Sequence, residues 1–347
     1  MSNLETTSEE EVLTSGSSCE GVELLEPRDV PLGGPRAMNV RRTLPQRQRS
    51  LIGAWCFLDH YGPDHVKESN GMNVPQHPHT GLQTASWLFT GEIEHKDSAG
   101  FEAIVRPGEL NLMTAGHGIT HQEFSTPETD ILHGAQLWIA LPDSARQMPP
   151  TFEHYAPAPI VSDGAEVRVF LGTLGVNAET STSPVATHTP LVGAEILLSP
   201  GASVSLTLDP AFEHGFLLDS GAALIDGHTL PKDFLGYLPT GRTRAVLTAK
   251  NEPVRLLLIG GTPFEEQIVM WWNFVGRSHE EIVTYRKDYM VEMGFEERSG
   301  ADTLGPSSEY DDAGLRYGNF PPNQPAPLPA PVLPNLRIKP RINPSHS

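Results

Sequence analysis

The chain of 347 residues carries 43 acidic against 24 basic side chains, a formal net charge of −19 at pH 7. A surface of that charge repels a phosphate backbone, which argues against direct nucleic-acid binding, and the length suits two domains with sizeable cores. Two cysteines without CxxC spacing, no apolar run of membrane-spanning length and no N-terminal h-region predict a protein of the cytoplasm with no membrane attachment; a monomer is expected.

Residues 1–22 are Ser, Thr, Glu and Gly without a basic side chain, and read as a disordered acidic tail. Arg36, Arg41, Arg42, Arg47 and Arg49 form a local basic cluster, expected to make salt pairs rather than a binding patch. From there the chain is short apolar runs cut by Gly, Pro, Asp and Asn. Residues 84–89, 135–141, 167–171, 202–208 and 254–259 are examples, many followed by turns at Gly91, Gly108, Gly201, Gly221, Gly227 and Gly241. Runs of this length and spacing predict an all-β fold of barrels or sandwiches. The layout occurs twice: Gly91-Glu92-Ile93 and the Pro107-Gly108 turn have counterparts in Gly221–Ile225 and Tyr237–Gly241. The duplication predicts a barrel over 23–145 and a second over 146–299.

One helix is predicted. Ser278 and Glu281 make a capping box, Ile282, Tyr285, Tyr289, Met290 and Met293 follow at helical spacing, and Gly294 ends it. Trp271 and Trp272 are expected to anchor this segment on a barrel. The last stretch, 300–347, turns polar and then Pro-rich. It is predicted to be extended, with Leu328, Val332, Leu333, Leu336 and Ile338 available for docking.

The chemistry concentrates in two pairs. His77 and His79 flank Pro78; His121 and Glu123 flank Gln122. On a strand, residues i and i+2 share a face, so two strands can aim three imidazoles and a carboxylate into one interior. Nitrogen and oxygen ligands without thiolate suit Fe(II), Mn(II), Ni(II) or Zn(II). An octahedral ion held by these four keeps two positions open for substrate or O₂, whereas tetrahedral Zn(II) is closed and structural. His95, beside Glu92, Glu94 and Asp97, reads as a solvated hairpin or rim residue. His117 is a loop residue or a neighbour of the site, Asp59 and His60 a structural corner, and His214 and His228 surface or turn residues.

The stretch Gln76–Glu123, with QHPHTGLQTASWLFTGEIEHKDSAG and VRPGELNLMTAGHGITHQE, closely resembles the signature of the pirin family. VRRTLP at 40–45, FLDHYGP at 57–63, LWI at 137–139 and the region from Gly261 to Ile282 agree with it. The resemblance spans about residues 25–295 and implies a bicupin, two cupin (jelly-roll) barrels facing each other. It implies iron held in the first barrel by His77, His79, His121 and Glu123, and a single metal site. It also implies two roles. One is quercetin 2,3-dioxygenase activity on a small aromatic enol, with Glu123 as the base that takes the enol proton. The other is an iron-dependent, redox-responsive co-regulator that binds a transcription factor or metabolic enzyme. Where many pirins read H-P-H-R-G-F-E, this chain has Thr80, Leu82 and Gln83 in place of Arg, Phe and Glu. Pocket shape, charge and substrate are therefore not carried over.

Overall fold

The computed structural model describes residues 21–32, 38–297 and 314–340. Cys19, Arg36 and nearly all of the acidic tail lie outside them. Alternating burial, as in Met38–Leu44 and Ala165–Leu171, gives each strand one face to pack and drives sheet on sheet. The first barrel pairs a seven-stranded sheet, from Thr151–Tyr155 at one edge to Arg28–Leu32 at the other, with a four-stranded sheet. The four are Asn73–His79, Ile119–Ser125, Ile93–Asp97 and Glu102–Val105, in that spatial order. The second barrel pairs a seven-stranded and a six-stranded sheet. All-β architecture with two facing barrels is thus as expected.

Edge strands are exchanged between the barrels. Glu23–Leu25 pairs with Leu235–Leu238 of the second, and Thr151–Tyr155 with Leu110–Thr114 of the first. The two seven-stranded sheets pack face to face through a shared apolar core that includes Trp87, Leu137, Phe170, Leu217 and Ile259. Trp87 stacks on Phe170 with ring centroids 4.5 Å apart. The interior of the second barrel is filled largely by a separate apolar cluster of Val, Leu, Ile, Ala and Phe216.

The helix His279–Glu292 forms as the capping box predicts: Ser278 Oγ accepts from the Glu281 amide. It buries Ile282, Tyr285, Tyr289 and Met290 against Trp271, Trp272 and Phe274. The Pro-rich segment is extended and docked. Leu328, Leu333 and Ile338 pack inward, while Val332 and Leu336 are 85% and 71% exposed, contrary to expectation. Among the described residues no helix is long and apolar enough to cross a membrane.

Candidate metal centre

The two ligand-bearing strands are hydrogen-bonded neighbours. Asn73–His79 runs antiparallel to Ile119–Ser125, with His77 opposite His121 and Ile119 opposite His79. A register shift there sets His121 and Glu123 opposite His77 and Val74, so the extra residue of the bulge lies in the first strand. His77, His79 and His121 are fully buried, with ring centroids 4.3–5.1 Å apart and ligand atoms all within 4.8 Å of one another. Glu123 is buried beside them; its carboxylate falls within the same distance of His95 and His121.

Hydrogen bonds assign the tautomers. His77 Nδ1 donates to the Pro75 carbonyl at 2.8 Å and His79 Nδ1 to the Asn273 carbonyl at 3.2 Å. His121 Nδ1 meets His95 Nδ1 at 3.3 Å, and His95 Nε2 lies 3.1 Å from Asp97 Oδ2. Asp97 Oδ1 accepts backbone N–H bonds from Ala99 and Phe101, which sets Asp97 as the acceptor of this group, and His95 is assigned its proton on Nε2 as the donor to Oδ2. His95 Nδ1 is then a lone pair, and the proton between the rings belongs to His121 Nδ1. All three ligand imidazoles therefore turn an unprotonated Nε2 inward. Each of these atoms is buried without a hydrogen-bond partner. Three such lone pairs beside a carboxylate fit a divalent ion of borderline hardness. Burial drives the His77 imidazole down to about 4 and holds those of His79 and His121 well below the ordinary value, keeping all three neutral and ready to coordinate.

The carbonyl that orients His79 comes from far along the chain. The hairpin of Val269–Trp271 and Phe274–Gly276 docks at the end of the ligand strand through the Thr80–Phe274 bridge and the Val275 N–H to Thr80 carbonyl bond. A side chain at Gly81 (φ +67°) would meet the Val275 carbonyl at 2.3 Å, so the approach requires glycine. Trp272 takes φ +52° to present Asn273, a left-handed conformation that strains a residue with a Cβ.

Other residues differ from expectation. His95 is not solvated: Ile93, His95 and Asp97 share the buried face of their strand, and Glu94 and Lys96 take the outside. His214 is buried in Glu213–Ser220 rather than at the surface, whereas His228 is exposed. Asp59 and His60 are no corner. Asp59 binds Arg42 inside the first barrel, and His60 faces the second barrel with His133 and Asp219. This second histidine cluster is already satisfied, because both Nε2 atoms donate to Asp219 Oδ1 at 2.6–2.7 Å. His117 lies in the loop at Ala115–Gly118, where its carbonyl accepts from Arg316. Leu82 joins the barrel core with Phe57 and Trp138. Gln83 turns the other way, to Thr114 Oγ1, on the face that packs against the second barrel. Arg42 and Arg49 pair with Asp59 and Glu23, as the salt pairing expected of the basic cluster, whereas Arg41 with Asp233 and Arg49 with Glu213 reach the second half of the chain.

Two facing β-barrels, one with buried imidazoles and a carboxylate and the other filled by aliphatic side chains, define a bicupin with a single candidate metal chamber among the described residues. The family models for pirin and for the pirin C-terminal cupin domain match residues 37–139 and 193–294, and the chain belongs to the pirin family. It is 42% identical over 261 residues to the Pseudomonas aeruginosa protein named "Putative quercetin 2,3-dioxygenase", covering 75% of this chain and 81% of that one. It is 32% identical over 259 residues to a pirin-like protein of Caulobacter vibrioides, covering 72% and 87%. The crystal structure of quercetin 2,3-dioxygenase from Acinetobacter baumannii superposes with a TM-score of 0.79 at 38% identity, over 92% of this chain and 98% of that one.

Proposed function

We propose that this chain is a mononuclear metal enzyme that opens flavonol-like enols with O₂, a quercetin 2,3-dioxygenase in type, working in the cytoplasm. His77, His79, His121 and Glu123 are its metal ligands and Fe(II) its metal; Mn(II), Ni(II) and Zn(II) suit the same donors. The observation that carries this reading is the convergence of three buried, unpartnered Nε2 atoms beside Glu123. The names of the Pseudomonas and Acinetobacter relatives supply the reaction class.

Fe(II) bound there supplies open coordination positions and redox chemistry toward O₂. The chain's own residues do the rest. Neutral imidazoles hold the ion without needing to lose a proton. Glu123, buried and within reach, takes the enol proton as general base. Trp138, backed by Phe57 at 4.0 Å, lines the site as an aromatic wall next to His79. The barrel of 23–145 carries the chemistry, and that of 146–299 supports it through the Asn273 carbonyl.

Protein loaded anaerobically with Fe(II) is expected to consume O₂ and bleach a flavonol when air is admitted; no turnover overturns the enzymatic reading. Metal analysis of His121→Ala is expected to fall to background, and an unchanged metal content overturns the site.

A further inference from the structure

The wall of the first barrel that faces the imidazoles carries polar groups that a metal does not explain. Strand pairing aligns Phe57, Trp138 and Thr84 in one cross-strand row and Asp59, Gln136 and Ser86 in the next. Tyr61 follows two residues after Asp59, on the same face. That face is the interior one: Trp138 meets the His79 ring edge-on at 5.1 Å, and Tyr61 feels the Glu123 carboxylate. Within the rows, two groups are already committed. Asp59 takes both prongs of Arg42 at 2.6 and 2.8 Å. Ser86 Oγ donates to Gln136 Oε1 at 2.9 Å, which turns the amide nitrogen away from it.

What remains is a set of donors. Trp138 Nε1, Gln136 Nε2 and Tyr61 Oη are buried and have no partner. Burial first, then the carboxylates of Glu123 and Asp59, push the Tyr61 hydroxyl well above its usual value, so it keeps its proton and stays a donor. An indole N–H can only donate. An unmet buried donor is destabilising, and three in one wall are tolerated where the working state brings acceptors. Phe57 lies between Trp138 and the Arg42 guanidinium, which leaves the indole as the ring that a planar acceptor can meet.

We propose that Tyr61, Gln136 and Trp138 form an oxyanion-recognition surface that selects planar enolates, receiving the deprotonated oxygen and adjacent carbonyl of the ligand opposite His77, His79 and His121. The proposal rests on the flavonol reading above and adds the residues that choose the substrate and hold it ionised.

The test is an anaerobic titration of the Fe(II)-loaded protein with 3-hydroxyflavone and with flavone, which lacks the 3-hydroxyl and forms no anion. Absorbance reports both binding and ionisation of the bound flavonol. Gln136→Leu and Trp138→Phe are each expected to weaken 3-hydroxyflavone binding about tenfold and to raise the pH midpoint of its bound ionisation by about one unit. In Gln136→Leu, and in Tyr61→Phe as a third variant that changes a single oxygen, flavone affinity and metal content are expected to stay at the wild-type level; Trp138→Phe, which also trims the aromatic wall, is expected to weaken both compounds and 3-hydroxyflavone more. An unchanged ionisation midpoint in all three variants overturns the proposal, since ordered water then satisfies the donors. An equal loss for flavone and 3-hydroxyflavone overturns it too, since the residues then only pack. Wild-type protein that binds neither compound overturns the flavonol reading and this surface with it, an outcome visible before any variant is made.

Discussion

His95 matters through the atom it leaves unprotonated. Asp97, held as an acceptor by two backbone amides, fixes the His95 proton on Nε2; His95 Nδ1 then accepts from the His121 Nδ1–H, which leaves the Nε2 of His121 turned inward. Without that acceptor, His121 retains no preference for the coordinating tautomer, and its Nδ1–H is buried unpaired. His95→Phe keeps an aromatic ring beside Phe152, whose ring centroid lies 5.0 Å from that of His95. It is expected to weaken metal affinity about 10- to 100-fold, read by competition with a chromogenic chelator, while the thermal midpoint of the metal-free protein moves little. Wild-type affinity in this variant would show that the His121 tautomer is set elsewhere. His95 and Asp97 have the same i, i+2 spacing as the ligand pairs, so the signal was present. The acidic neighbours Glu92 and Glu94 masked it, because they suggest solvent while strand parity puts them on the opposite face from His95 and Asp97.

At the scale of elements, the back of the ligand sheet is covered by the C-terminal segment. Gln76 and Gln122 alternate with the ligands and face outward. Leu328 N–H donates to the Gln76 carbonyl at the free edge of the ligand strand, and Gln122 Nε2 donates to Gln324 Oε1. Arg316, fully buried, bridges Asp288 of the helix and the His117 carbonyl, and Tyr317 is buried on the helix with its hydroxyl on the Tyr285 carbonyl. Removing residues 314–347 uncovers these groups together. Burial of one large aromatic is worth about 1.5–3 kcal/mol. The truncated protein is therefore expected to unfold at lower denaturant concentration by at least about 3 kcal/mol and to bind metal more weakly; unchanged values would mean that the segment merely rests on the surface. Ser278→Ala, which loses the N-cap, is expected to cost about 1 kcal/mol in the same assay. Strand alternation and the capping box are local patterns, which is why the barrels, the helix and the two ligand pairs were legible in the sequence. The turns at Gly91 and Gly221 were legible too. Each has positive φ (85° and 82°), and a Cβ there would run into a carbonyl oxygen at 2.5 and 2.2 Å, so the two barrels repeat the same turn. The docking of a Pro-rich chain has no period. Which of Leu328, Val332, Leu333, Leu336 and Ile338 face inward depends on the helix and sheet beneath them, and Arg316 and Tyr317 acquire meaning only from partners 24 to 199 positions away in sequence.

At the scale of the molecule, the seam between the barrels has an apolar middle and polar contacts, two of which are built on buried carboxylates. At one, Glu213 accepts from the Gly53 amide and the Tyr237 hydroxyl and pairs with Arg49. At the other, Asp219 of the second barrel takes the Nε2 protons of His60 and His133 of the first, with Arg255 at 3.4 Å. Burial alone would raise the Asp219 carboxyl. The bonds from His133 and His60 outweigh it and hold the group far below the usual carboxylate range. A depressed folded-state value fixes the sign: the stabilisation is fully present above the unfolded value of about 3.9 and is lost as pH falls below it toward the folded value. Asp219→Ala leaves two buried imidazole N–H groups without an acceptor and is expected to cost about 3 kcal/mol at pH 7. Denaturant unfolding of the metal-free proteins between pH 7 and pH 3 measures both parts of this. The gap between wild type and variant should hold constant down to about pH 4 and narrow below it, because the wild type alone then loses the Asp219 contribution. A gap that stays constant to pH 3 would place the acid sensitivity of the seam in another group, and a gap near zero at pH 7 would make the apolar packing of the two large sheets sufficient to hold the barrels together.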